Sequence, residues 1–173
     1  MPTPCPSRRR CLRSLAGLAW AAACGAGHAL EPPAGPVLLE VRGRVLSPNR
    51  GNCACFDMPM LAALPQVSFS AHTPWYARAH RYTGPLLRDV LSAAGARGTE
   101  LHLRALNDYR VSVPWDDAQR FDPIVARLLD GHPMAVRDKG PLFLIYPFDD
   151  QPDLRSAVYY SRSAWQLQTI EVV

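Results

Sequence analysis

Hydrophobic and polar residues alternate along much of this chain, so strands rather than long helices are expected. Across residues 37–45, Leu39, Val41 and Val45 fall on one face and Glu40, Arg42 and Arg44 on the other, the period of a half-buried strand. Residues 47–52 form a turn cluster. Asp57 is placed to cap a short helix containing Met58, Met60, Leu61 and Leu64, and Pro65 stops it. A short strand is predicted over 67–71, then a polar loop around His72, Thr73, Pro74 and Trp75. The clearest helical pattern opens at Gly84-Pro85, with Leu86, Leu87, Val90, Leu91 and Ala94 on one face and Gly95 closing it.

The second half of the chain continues the strand pattern. Residues 101–105 alternate and turn through Asn107-Asp108 into 109–113, a predicted hairpin. A helical turn is expected from Pro114, and one strand over 124–129, turned by Asp130, Gly131, His132 and Pro133. Leu142, Phe143, Leu144, Ile145 and Tyr146, bounded by Gly140-Pro141 and Pro147, read as a strand buried on both faces and as the centre of the domain. A helical crossing over 152–160 leads to a closing strand over 165–173, the expected partner of that central strand. These elements predict an α+β domain, mostly β, with a mixed, barrel-like sheet and a few short helices.

Composition changes this picture at the start of the chain. Arg8, Arg9, Arg10 and Arg13 precede an uncharged stretch of small and apolar residues, and Gly27-His28-Ala29 ends it with the small residues a signal peptidase reads. Residues 1–29 are therefore expected to be an export signal and 30–36, rich in proline, a linker, leaving 37–173 as one domain and a periplasmic location. The route stays open. Ser7 to Arg13 resembles a twin-arginine signal except at Cys11, and Ala21-Ala22-Ala23-Cys24 resembles a weak lipoprotein box. The leader also holds four of the 19 basic residues, so the rest carries 15 against 15 acidic residues and the high pI implies no nucleic-acid or membrane partner. Beyond residue 29 only Cys53 and Cys55 remain, too few for a disulfide framework.

The order of features resembles the oxidoreductase molybdopterin-binding domain, the fold of the sulfite oxidase catalytic core. The residues that carry the resemblance are Phe56-Asp57-Met58, the run from Thr83 to Leu91, Asn107-Asp108-Tyr109, the run from Leu129 to Met134, the run from Lys139 to Pro147, and Trp165 leading into Ile170-Glu171-Val172. The resemblance implies a cofactor pocket whose metal is held by a cysteine thiolate in the loop here occupied by residues 68–75. That loop has no cysteine, and neither Ser70 nor neutral His72 substitutes for a soft, charged ligand. It also implies basic residues about a pterin phosphate, where this chain places Asp149, Asp150 and Asp153, with Lys139, Arg155 and Arg162 as the nearby bases.

The expected function is thus a non-catalytic, ligand- or partner-binding accessory, with no cofactor, whose partner is a small molecule or the periplasmic domain of a membrane signalling protein. The alternative is a molybdopterin-dependent oxidoreductase with an atypical metal ligand. Pocket candidates under the resemblance are His72, Trp75, His80, Tyr109, Lys139 and Arg162, with Tyr76, Tyr82, Tyr159, Tyr160 and Trp165 as further wall aromatics. Both His72 and His80 read more simply as structural residues. Cys53-Ala54-Cys55 is a candidate redox pair, but no catalytic base accompanies it, so a turn-adjacent pair oxidised in the export compartment and otherwise inert is preferred. The doublets Asp116-Asp117 and Asp149-Asp150 stand at element ends beside proline, where capping and turns explain them. His102 and His132 read as surface residues.

Overall fold

The computed structural model describes residues 30–173, so the expected export signal lies outside the described residues. In chain order these fold into β1 (Leu39–Gly43), β2 (Ala54–Phe56), α1 (Met58–Ala63), β3 (Gln66–Ala71) and β4 (His80–Pro85). Then come α2 (Leu87–Ala93), β5 (Glu100–Ala105), β6 (Arg110–Pro114), α3 (Asp117–Arg120) and β7 (Ile124–Ala126). The remainder is β8 (Leu128–Leu129), β9 (His132–Pro133), β10 (Phe143–Ile145), α4 (Ala157–Arg162) and β11 (Leu167–Val172). The fold is mixed α+β and mostly strand. Its sheets are open, of five, four and two strands, and not the barrel-like closure expected.

The five-stranded sheet runs β2-β1-β11-β5-β6. Its inner face carries Leu39, Val41, Leu101, Leu103, Ile170 and Val172, all buried with the apolar faces of α1 and α2. The four-stranded sheet runs β3-β4-β8-β9. Between them stands the β7–β10 pair, which divides the core in two. Leu142, Leu144 and Val125 belong to an aliphatic cluster with the five-stranded sheet. Phe143, Ile145, Ile124 and Ala126 belong to an aromatic cluster with Tyr82, Tyr146 and Phe148. A strand in that position must be apolar at every residue, which is why 142–146 shows no alternation.

The central strand does not pair with β11 as expected. Its strand partner is β7, antiparallel, with Leu144 opposite Val125. The expected closing segment meets it at one antiparallel bridge, Phe143 with Trp165, where the Leu144 N–H donates to the Ala164 carbonyl and the Leu167 N–H to the Leu142 carbonyl. β11 then runs on to lie parallel to β1 and antiparallel to β5.

Two further expectations are corrected. Gly84-Pro85 does not open the helix. It ends β4, and α2 begins at Leu87 with Leu86 as its N-cap. Gly84 is needed there because a Cβ would stand 2.1 Å from the Val125 carbonyl oxygen of β7, so β4 approaches the partition only without a side chain. The single strand expected over 124–129 is two, β7 pairing with β10 and β8 pairing with β4. The Asp57 cap holds: its Oδ1 accepts from the Met60 N–H at 3.0 Å, and its Oδ2 from the Gly35 N–H at 2.8 Å. That second bond, with an Asn49 side-chain bond to the Glu31 carbonyl, ties down the segment expected to be a loose linker.

Candidate functional site: an aromatic cleft

The loop after β3, the start of β6 and the segment from α4 to β11 meet at one edge of the aromatic cluster. They enclose a cleft of about 300 Å³ lined by Pro74, Trp75, Tyr109, Tyr160, Ser161, Ser163 and Trp165. Trp75 organises it. Its ring stands edge-on to Trp165 (centroids 5.5 Å apart, 85°), to Tyr160 (6.0 Å, 82°) and to Phe143 of β10 (5.5 Å, 62°). Edge-to-face contacts of this kind hold large rings in a defined geometry, and three of these four rings line the cleft. Tyr109 spans the mouth, its hydroxyl donating to the Ser161 carbonyl at 2.6 Å. The result is a mostly apolar slot with hydroxyls at its margin, the character of a small-ligand or side-chain pocket.

The six pocket candidates separate. Trp75 and Tyr109 line the cleft. Lys139 lies beside it, its Nζ 5.7 Å from the Trp165 ring centroid and 4.6 Å from that of Tyr76, a cation–π position on each. His72, His80 and Arg162 are not in the lining. The His72 side chain is 71% exposed, with Nδ1 2.8 Å from Asp149 Oδ2. His80 lies with Nδ1 2.9 Å from Asp130 Oδ2 and its ring against Tyr76 at 4.5 Å. Arg162 donates to Asp117 Oδ2 at 2.9 Å and covers the Tyr159 ring. Of the other aromatics, Tyr160 and Trp165 form walls, Tyr82 is core, and Tyr159 packs on Phe121 and Tyr146.

The carboxylates correct the reading of both aspartate doublets. Asp117 is no simple cap: at 4% exposure it accepts from Arg162 and from the Tyr146 hydroxyl (2.8 Å), joining α3, α4 and the end of β10. Burial, and then the Asp117 charge, push the Tyr146 phenol well above its ordinary range. Asp149 accepts from the His72 backbone N–H, from the His72 ring and from Arg155 at 2.8 Å. Burial works to raise its pKa, but those partners outweigh it and hold the carboxyl below its ordinary value. Asp130 is likewise held low, first by the Arg81 N–H, against a smaller opposing effect of burial, with His80 and Arg78 adding to the lowering.

Cys53 and Cys55 belong to another region. Cys55 sits on β2 opposite Glu40 of β1, at the edge of the five-stranded sheet, and neither cysteine lines the cleft. Both are free thiols, with sulfurs 2.7 Å apart. Burial, the Cys53 contact and the Glu40 charge push the Cys55 thiol up to about 12, so it is protonated at neutral pH and a poor nucleophile. Among the described residues no cluster of three or more His, Cys, Asp or Glu side chains is placed to hold a metal ion, including Asp149, Asp150 and Asp153. No described helix is long and apolar enough to cross a membrane.

No family model matches the sequence, and no curated protein matches it either.

Proposed function

We propose that this chain is a non-catalytic binding protein that uses the aromatic cleft to hold a small apolar or aromatic group, on a fold related to the oxidoreductase molybdopterin-binding domain. The cleft carries the reading: Trp75, Tyr160 and Trp165 line a volume of about 300 Å³, with no acidic, basic or histidine side chain in the lining. The cofactor implied by the resemblance does not fit the residues present. A phosphorylated pterin needs free cations, yet Arg155 is bound to Asp149 and to the Phe148 carbonyl, Arg162 to Asp117, and Lys139 lies on two aromatic rings. The loop over 72–75 offers no thiolate, and Cys55 belongs to a different sheet edge.

The group bound is a free small molecule or a side chain on the periplasmic domain of a membrane signalling protein, and the chain acts in the periplasm as its accessory. The alternative, a molybdopterin oxidoreductase with an atypical ligand, makes an opposite prediction for the native protein. Protein purified from its own host under molybdate-replete growth is expected to contain no molybdenum by mass spectrometry and no extractable pterin. Near-stoichiometric molybdenum with a pterin would overturn the proposal.

A further inference from the structure

The outer face of the five-stranded sheet holds a second cavity, unrelated to the aromatic cleft. Its volume is about 360 Å³, and its lining includes Arg42 of β1, Thr169 and Glu171 of β11, Arg104 of β5, and Arg110 and Ser112 of β6. The strand register places these side chains. Thr169 stands opposite Arg104, and Arg104 opposite Arg110, so three adjacent strands present Thr-Arg-Arg in one row. One row along, Arg42 stands opposite Glu171, and Glu171 opposite His102.

Three observations set this face apart from an ordinary solvated one. Arg104 and Arg110 are like charges directly across a strand pair, an arrangement that destabilises a sheet unless something negative lies between. Among the described residues Arg110 has no ion pair, and Arg104 has only a 3.4 Å bond to the Gln168 amide. Glu171, the one carboxylate in the lining, sits 3.8 Å from Arg42, and nearby Glu100 is taken up by His102 at 3.1 Å. Finally, three buried polar atoms on this face lack any partner: Thr169 Oγ1, in a residue 1% exposed, and the Nε atoms of Arg42 and Arg104. Unmade hydrogen bonds at buried atoms are costly, and three of the six among the described residues belong to this face.

We propose that this face is a binding site for a tetrahedral oxyanion, a phosphate or sulfate group carried by a small molecule. Guanidinium groups from β1, β5 and β6 line the cavity together with Thr169, whose neighbours in its row are Glu40 of β1 and Arg104 of β5. An anion with oxygens directed to several sides can accept from all of them, where a flat carboxylate satisfies one fork. The bound group also supplies the negative charge that the Arg104–Arg110 pair lacks.

Thr169→Val and Arg110→Gln test the site with the full chain, by thermal unfolding and calorimetric titration of inorganic phosphate, pyrophosphate, sulfate and acetate at constant ionic strength. Wild-type protein is expected to bind phosphate, pyrophosphate or sulfate saturably and acetate not at all. Arg110→Gln is expected to weaken that binding at least tenfold while raising the melting temperature without anion, because the like-charge contact is gone. Thr169→Val is expected to do the same through loss of an unpartnered buried hydroxyl. A purely structural role for these residues would move the melting temperature and leave binding unchanged, and would overturn the proposal. So would stabilisation that tracks ionic strength alone, or equal binding of acetate. The sulfate and phosphate arms identify which ester the site prefers.

Discussion

The two sides of β10 are built from different chemistry. On one side Leu142 and Leu144 meet Leu39, Val41, Leu61, Val90, Leu91 and Leu103, branched side chains covered by two helices. On the other, Phe143 and Ile145 meet Tyr82, Tyr146 and Phe148, with Trp75, Tyr160 and Trp165 only partly buried at the rim. Branched side chains interdigitate into a closed volume. On the aromatic side, rings packed edge to face reach the rim, where the Tyr109 hydroxyl donates to the Ser161 carbonyl. One strand therefore separates a mostly aliphatic half of the core from an aromatic half whose rim rings line the cleft.

Truncation on the two sides of β10 sharpens this contrast most. Phe143→Ala and Leu144→Ala should each cost about 3–5 kcal/mol in urea unfolding, as large truncations in packed cores do. Only Phe143→Ala should also change the near-ultraviolet circular dichroism strongly, because Trp75, Tyr82 and Trp165 pack directly on that ring. Equal spectral changes from both variants would break the distinction. Next in size, Asp117→Ala should cost on the order of 3 kcal/mol, since it leaves Arg162 half-buried without its partner. Tyr146→Phe removes one hydrogen bond to the same carboxylate and should cost about 1 kcal/mol.

A smaller effect is read by pH, and it acts on both sides, because Asp57 at the start of α1 is also held below its ordinary value, first by the Met60 N–H. Asp149 and Asp130, both on the aromatic side, have folded pKa values below their ordinary value of 3.8. The stability they contribute is complete above that value and is lost as pH falls through the lower folded values, because the unfolded chain then binds more protons. The melting temperature should therefore fall steeply below about pH 4. The fall should be shallower in Asp149→Asn and Asp130→Asn, as differential scanning fluorimetry can read; an unchanged acid limb would show that these ties contribute nothing. Least of all, Tyr109→Phe at the cleft mouth should cost less than about 1 kcal/mol, as expected of an exposed hydrogen bond.

Local rules made much of the fold legible. Alternation marked β1, β5 and β6, an aspartate marked the start of α1, and an unbroken apolar run marked the strand buried on both faces. Failures occurred where a distant contact set the conformation. His80 to Pro85 was not read as a strand, because its glycine answers to Val125 of another strand and its Gly-Pro end imitates a helix start. Residues 124–129 look continuous, but the chain changes sheets at Arg127, which no local pattern records.

The sites divide in the same way. Trp75, Tyr160 and Trp165 were visible as aromatics in two segments, and the cleft uses them. His72 and His80, pocket candidates under the resemblance but more simply structural residues, are each tied to an aspartate, 77 and 50 residues away. The arginine face was not visible at all. Arg42, Arg104 and Arg110 each sit at an ordinary polar position of their own strand, and only register brings them together.

The parallel pairing of β1 with β11 has a kinetic consequence. Glu40 faces Thr169 across the middle of the five-stranded sheet, so its central contact joins the two most distant strands of the described chain. Closing so large a loop costs entropy before the pairing returns any stability, and non-local topology of this kind slows folding. β5 and β6 can form their hairpin early, yet the sheet's middle is missing until β11 arrives between them and β1. Until that moment an apolar strand edge on each side is open to wrong partners.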